Sequence, residues 1–415
     1  MSEQSTIESD RATVTWDNLD VLVREHVQRF IQTLLEEELT AFLGRAKSQR
    51  RSTVDDAAGY RNGHGKPRKV TLPCGTIEVE RPRARDLEAR FESKVLPLFV
   101  RRTKLVDGIL PELYLHGLAL GDFELAMKSV LGDDAPVSDS VISKLKEKWQ
   151  LEYSAWKARD LSQLEPVYLW IDGVYVKAGL EKDKAALLVV LAALSDGTKT
   201  FLAIEPGHRE STESWSLVLR SLRERGLKCP ALFIGDGNLG AWAAIRSVYP
   251  DAKEQRCWNH RVVNLLDRIK RRHQPEAKAL LTKIAYAESR DAAEVAKQAF
   301  KSWCNESHYH GASEAIEDDW ERMVSYFEFP KQHWLHLRTT NAIESPFASL
   351  RLRTNASKRF KKVENASAMV WKLLMLAERG FHALQAPELL EEVYRNRNDR
   401  NKVNASPALE DRPAA

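Results

Sequence analysis

Three apolar runs follow one another closely in the second half of this 415-residue chain: "VYLWIDGVYV" at 167–176, "AALLVVLAAL" at 185–194 and "TKTFLAIE" at 198–205. Each has the length of a strand and is too apolar to face water, so the three must form a sheet buried under helices. "SDGT" at 195–198 supplies an Asp-Gly hairpin turn between the second and the third. A helix over "STESWSLVLRSLRERG" should follow, capped by Ser211 and stopped at Gly226. "CPALFIG" then reads as a fourth strand, "GAWAAIRSVY" as a helix and the region of "KEQRCW" as a short fifth strand. The resulting order βββαβαβ predicts an α/β layer domain.

Asp172 interrupts the first of these strands, where a carboxylate needs a partner or an exit to solvent. Asp236 leaves the fourth strand between two glycines in "ALFIGDGNLGAW". Alone, a Gly-Asp-Gly triplet means a turn. If strands one and four are neighbours, however, the two acids lie side by side, and adjacent anions call for a raised pKa or a bound cation. A divalent metal on oxygen ligands resolves the conflict, and two such ions roughly 3.5 to 4 Å apart can serve phosphodiester chemistry. Mg²⁺ suits a site with few carboxylates and a substrate phosphate. Glu344 in "RTTNAIESPF" is the candidate third acid. Two local readings compete with that role: Asn341-x-x-Glu344 has capping-box spacing, and Ser345-Pro346 is a helix-start signal that leaves Glu344 just outside the helix.

Elsewhere the pattern is mainly helical. Apolar residues from Leu19 to Leu43 recur at helical spacing, giving an amphipathic helix or helix pair whose stripe a second subunit could cover. "GYRNGHGKPRKV" reads as a basic loop, and alternation at Thr76 to Glu80 as a short hairpin. Residues 104–150 predict three helices, the last capped by Ser138 or Ser140, in an arrangement compatible with a helix-turn-helix. The divisions that follow are an N-terminal helix and basic hairpin (1–103), a helical DNA-binding region (104–160), the first part of the core (161–274), an all-α insertion (275–335), the second part of the core (336–387) and a polar tail (388–415).

The net charge is only +4, but it is unevenly spread. Residues 45–69 carry eight Lys/Arg against two Asp, "RIKRRH" at 268–273 is basic throughout, and "RLRTNASKRFKK" at 351–362 holds six basic residues and no acid. Basic runs in separate segments fit a long polyanion. The longest apolar run is short of a membrane span, the first ten residues are polar and acidic, and four cysteines without a CxxC pair fit a reducing cytoplasm. Trp215 and Trp242 sit on apolar helix faces and read as core; His208 and Arg209 fall on a surface loop beside the third strand.

Taken together, "YLWIDGVYV", "LFIGDGNLGAWAAIRSVYPDAKEQRCWNHRVVNLL" and "RTTNAIESPFASLRLRT" resemble the Mutator-type bacterial insertion-sequence transposases, the insertion sequence 256 family. "GYRNGHGKPRKVTLPCGTIEVERPRAR", "ELYLHGLALGDF" and "VSDSVISKLKEKWQ" resemble that family's amino-terminal half, so the likeness runs from about residue 15 to 385. It implies an RNase H-like fold interrupted by a helical insertion, with a metal-binding DDE triad of Asp172, Asp236 and Glu344. It also implies two Mg²⁺ ions, with Mn²⁺ as a substitute, and terminal-inverted-repeat and target DNA as partners of a homodimer in the bacterial cytoplasm. Cys257 and His260 in "CWNH" match a Cys-x2-His motif placed near the active site. Cys304 and His308 could complete a zinc site with them, but the long spacing favours packing and positioning. Arg61, Lys66, Arg68, Lys69, Lys144, Lys146, Arg338, Arg351, Arg353 and Lys358 are the expected DNA contacts. Two other readings are a silent DNA-binding derivative, against which all three acids count, and a resolvase-like nuclease, which would hydrolyse without joining.

Overall fold

The computed structural model describes residues 15–49, 59–87, 90–116, 118, 120–132, 135, 139–178, 185–207, 211–237, 239–356, 360 and 362–397. The chain forms two compact units, 1–145 and 146–415. The boundary falls inside the region 104–160 that the sequence treats as one piece, whereas the core segments and the insertion share the second unit.

In the first unit a single helix, α1 (Leu19–Leu43), ends on Gly44, whose φ of 62° is the left-handed turn that glycine tolerates best. Four strands follow: β1 (Tyr60–His64), β2 (Arg68–Leu72), β3 (Gly75–Val79) and β4 (Pro82–Arg85). β2 and β3 form an antiparallel hairpin, and β1 pairs with β4. The stretch expected to be a basic loop is therefore strand. Its Gly- and Asn-rich composition carries little strand propensity of its own, and the pairing of Tyr60 with Arg85 and of Arg61 with Ala84 supplies what local preference lacks. Alternation holds in β3, where Ile77 and Val79 are buried and Glu78 is exposed. These two meet Leu35 of α1, Val70 and Leu96 in one small core, while Leu39 and Leu43 pack on Phe91 in another. Helices α2 (Lys104–Leu115), α3 (Leu120–Leu131) and α4 (Asp139–Lys157), the last running across the boundary at 145, occupy the places expected of them. Of the two serines proposed as the α4 cap, Ser138 lies outside the described residues and Ser140 is already inside the helix.

The second unit is built on β5 (Pro166–Val176), β6 (Ala185–Leu194) and β7 (Lys199–Gly207), then α5 (Thr212–Glu224), β8 (Leu232–Gly235), α6 (Leu239–Val248) and β9 (Lys253–Arg256). The sheet order is β7-β6-β5-β8-β9, antiparallel among the first three strands and parallel from β5 onward. Gly197 turns the β6–β7 hairpin at φ 85°, with the Asp196 carboxylate accepting from the Thr198 amide. Ser211 caps α5 by accepting from the Ser214 amide.

The residues of β5 alternate between two layers. Leu169 and Ile171 join Trp215, Val218 and Leu222 of α5 and Trp242 of α6 in the main core, which confirms both tryptophans as packing residues. Tyr168 and Trp170 face the opposite layer: the Tyr168 hydroxyl pairs with His333 Nδ1 at 2.8 Å, and Trp170 Nε1 donates to the His336 carbonyl at 3.2 Å.

Beyond β9 come α7 (Trp258–Leu266), in the stretch assigned to the first part of the core, then α8 (Gln274–Ala285), α9 (Arg290–Glu306), α10 (His310–Ala315), α11 (Trp320–Val324) and α12 (Trp334–Leu337); within the 275–335 expected for the helical insertion, the third helix is broken in pieces. The chain returns to the sheet through α13 (Asn341–Ala356) and α14 (Val363–Glu378). Glu378 at the end of α14 is tied to β7, accepting from the Phe201 amide at 2.8 Å and the Thr200 hydroxyl at 3.1 Å. The start of the expected polar tail is ordered: α15 (Leu390–Asn396) buries Leu390, Val393 and Tyr394, an apolar i, i+3, i+4 face among charged neighbours. Among the described residues no helix is long and apolar enough to cross a membrane.

Candidate active site at the carboxyl end of the central strands

Tyr168, Leu169 and Trp170 of β5 stand in parallel register with Leu232, Phe233 and Ile234 of β8. Asp172 and Asp236 each lie two residues beyond the last matched pair. Asp236 thus follows the carboxyl end of β8, and Asp172, inside β5 and paired with Val189 of β6, lies just past the end of the parallel ladder beside it, on the side where an open α/β sheet presents its binding crevice. Asp172 shares the sheet face of Tyr168 and Trp170 by alternation, the face covered by the segment that leads into α13. Its carboxylate accepts from the Gly173 amide at 2.7 Å. Both aspartates are half-buried.

Asp236 is followed by Gly237 at φ 103°, a conformation that side chains rarely adopt. A Cβ at that position would stand 2.6 Å from Arg256 Cζ, so the backbone needs glycine for space as well as for conformation. Arg256 ends β9 buried beneath this turn, bonded through its guanidinium to Asp319 at 2.7 Å. Asp319 also binds Arg322, which reaches Glu254 at 2.5 Å. The insertion is thereby clamped to the β9 edge of the site.

Glu344 lies inside α13, in its first turn. The competing expectation, that Ser345-Pro346 begins the helix, is corrected: backbone bonds from the Ile343 and Glu344 amides to the Thr340 carbonyl, both 3.0 Å, start the helix earlier, and Pro346 is accommodated within it. Asn341 does not close a box on Glu344; its side chain accepts from Asn259 at 3.0 Å. The Glu344 carboxylate is instead bonded by the Thr340 hydroxyl. Thr340 is fully buried, and its amide and hydroxyl lie 3.3 and 3.1 Å from Cys257 Sγ. Thr340 escapes detection in the sequence because its i, i+4 relation to Glu344 has meaning only once the helix is known to start at 341.

Cys257, His260 and Glu344 bring ligand-type atoms within 4.8 Å of one another, and no other such group of three exists among the described residues. His260 Nδ1 lies 3.8 Å from Glu344 Oε1. The hydrogen bond to Cys257 raises the His260 pKa to about 9, against the opposing effect of burial and with the charges of Cys257, Glu344 and Asp236 adding to the rise. The imidazolium therefore answers to two of the three proposed acids. Cys304 and His308 stand apart from this group; Cys304 is buried in α9, and that burial pushes its thiol up to about 11. Asp172 and Asp236 do not close with Glu344 into an equally tight set, since Glu344 is turned toward Thr340 and His260.

The expected DNA contacts fall into different environments. Lys66, Lys69, Lys144 and Arg351 are exposed, and Lys146 is half-buried. Arg61 is paired with Glu36 at 2.9 Å and Thr40 at 2.5 Å. Arg68 donates to the carbonyls of Pro97, at 3.2 Å, and Val100. Arg338 spends its guanidinium on the Trp334 and Ala285 carbonyls and on the Tyr286 ring at 4.1 Å, which makes it a packing residue. Arg353 on α13 is 2% exposed, a buried cation where a surface contact was expected. Lys358, His208 and Arg209 lie outside the described residues.

Comparison with known proteins defines the class as transposase. Residues 1–383 match the family model "Transposase, Mutator family". The transposase for insertion sequence element IS6120 of Mycolicibacterium smegmatis is 43% identical over 285 residues, 69% of this chain and 88% of that protein. That for element IST2 of Acidithiobacillus ferrooxidans is 35% identical over 65% of this chain and 91% of its own. The transposase for element IS256 in transposon Tn4001 of Staphylococcus aureus is 25% identical over 86% of this chain and 91% of its own. The chain belongs to the Mutator family of transposases.

Proposed function

We propose that this protein is a metal-dependent DNA transposase that binds the terminal inverted repeats of an insertion sequence, cuts a strand there and joins the freed 3′-hydroxyl to a second phosphodiester. The parallel register of β5 with β8 carries the reading, because it puts Asp172 of β5 and Asp236 after β8 at the same level of neighbouring strands, each two residues past the last matched pair. The strand order, with three antiparallel strands and two parallel ones, supports an RNase H-like core.

Asp172, Asp236 and Glu344 offer the hard oxygen donors that fit Mg²⁺, or Mn²⁺ in its place, whereas the Cys257 sulfur does not. Two such ions would lower the pKa of a nucleophilic water or hydroxyl and stabilise the leaving oxygen. The chain's own residues hold that arrangement. Thr340 fixes the Glu344 carboxylate, Gly237 lets the turn after Asp236 lie close on Arg256, and His260 keeps a positive charge beside Glu344 where a phosphate would approach. Cys257 serves positioning, through its contacts to Thr340 and His260. The amino-terminal unit is assigned to end recognition. The exposed apolar residues Val21 and Phe30 of α1, with Trp16 just before it, support self-association along this helix, as two ends require.

The test is Asp236→Asn. Nicking and joining of labelled element-end DNA in Mg²⁺ should fall by at least about 100-fold, since a direct ligand matters no less than the shell behind it, while end binding by mobility shift stays intact. Full activity in that variant would refute the site. Hydrolysis by the unaltered protein with no joined product would favour a nuclease.

A further inference from the structure

The amino-terminal unit contains a concave cleft of about 740 Å³ in which the charged lining side chains are nearly all cationic. Lys66 enters from the β1–β2 turn, Arg81, Arg83 and Arg85 from β4 and the residue before it, and Arg90 and Arg101 from the segments that follow. Among the described lining residues Asp86 is the sole acid, and it lies 3.7 Å from Arg85 with both side chains largely in water. Arg83, Arg85, Arg90 and Arg101 are exposed. Such crowding has a cost. The pKa of Arg68 at the cleft floor is lowered by burial and then by the charges of Arg81 and Arg101. The packing of α1 on the hairpin is carried by Leu35, Ile77 and Val79, not by the arginines.

At the lip stands Phe99, 90% exposed and held at φ 69°, a backbone conformation that is costly for a bulky residue. Arg68 fixes this turn by donating to the carbonyls on either side, Pro97 and Val100. A cationic side chain is thus used to display an aromatic one. Leu98 and Val100 beside it are exposed as well. Cations along a groove with an apolar wedge at its edge are the two parts needed to track a phosphate backbone and press a ring against a base step.

We propose that the hairpin cleft binds the backbone of duplex DNA, with Arg83, Arg85 and Arg101 on phosphates and Phe99 inserted against a base step. This rests on the transposase reading only for the identity of the DNA; the cleft would hold a duplex whatever the other unit does. The cleft is separate from the helical region that the sequence singles out for groove reading.

The experiment titrates the full chain into a labelled mixed-sequence duplex of about 30 base pairs by fluorescence anisotropy at several salt concentrations. In the triple variant Arg83→Gln, Arg85→Gln, Arg101→Gln the slope of log affinity against log salt should shrink by about 2.7, at about 0.9 per phosphate lost. Phe99→Ala should weaken binding about tenfold without altering the slope, and should abolish the fluorescence rise of 2-aminopurine placed in the duplex. Should the triple variant fail to fold by circular dichroism, Arg83→Gln alone must lose about 0.9 of the slope. An unchanged slope and affinity overturns the cleft, even where Mg²⁺-dependent cleavage succeeds. Equally, tighter binding of a single strand, with only that binding affected by the variants, overturns the duplex as partner. Cleavage that never appears, with the slope behaving as stated, removes the transposase reading and leaves the cleft.

Discussion

The carboxyl end of the five-stranded sheet and the cleft of the amino-terminal hairpin are opposites in charge and alike in construction. Each gathers side chains of one sign on a rigid apolar support: Leu169, Ile171 and Phe233 in the sheet that carries the acids, Leu39, Leu43 and Phe91 under the strand that carries the arginines. They differ in what surrounds the charges. At the sheet end the neighbouring arginine is already committed, Arg256 to Asp319, and the cation near Glu344 is a titratable histidine. In the cleft the cations crowd one another and reach water. Elsewhere the molecule shows what ordinary charge placement looks like: Lys297 is buried between Glu294 and Glu317, at 2.7 and 3.0 Å, and over the Trp320 ring. Like-charge clustering of the other kind calls for a ligand of opposite sign, a cation in one place and a polyanion in the other.

Three changes test whether the two ends are independent. The largest effect is expected from Thr340→Val, which removes the hydroxyl that holds Glu344. Joining activity should drop about tenfold, in the range of second-shell losses at metal sites, with the duplex-binding salt slope unchanged and Thr340→Ser restoring activity. A lost slope would mean that the two ends are coupled. Next comes Gly237→Ala, which forces a side chain into a positive-φ position against Arg256. Thermal or urea unfolding should register a loss of about 1 to 3 kcal/mol, and an unaltered midpoint would contradict the close approach. Smallest is Phe99→Ala in the absence of DNA. A side chain so exposed should change stability by less than about 0.5 kcal/mol, so a larger loss would make Phe99 a packing residue and remove it from the proposed wedge.

Most of the sheet was legible in the sequence because β5 to β8 are largely apolar and the turns and caps carry specific residues, such as Gly197, Ser211 and Gly226. The pairing of Asp172 with Asp236 needed one further assumption, the adjacency of strands one and four, which the strand order bears out. β1 and β4 were opaque because polar strands are made by their partners. Arg338 and Arg353 were misplaced for a related reason: a cation in a basic run looks solvated until packing shows which carbonyl or ring it serves. Pro346 obscured the true start of α13, and the order of 390–396 rests on three apolar residues in a polar stretch.

The helical excursion between β9 and α13 opens at Trp258, whose backbone amide donates to the carbonyl of Arg338 at its close, at 2.9 Å, and Cys257 meets Thr340 just outside that junction. The excursion leaves and re-enters through a single stitched gate. Its length can drift at little entropic expense, so material may be added, trimmed or exchanged at the far side while the glutamate at the threshold keeps its address. For an engineer, that distal side is where a foreign domain could be grafted.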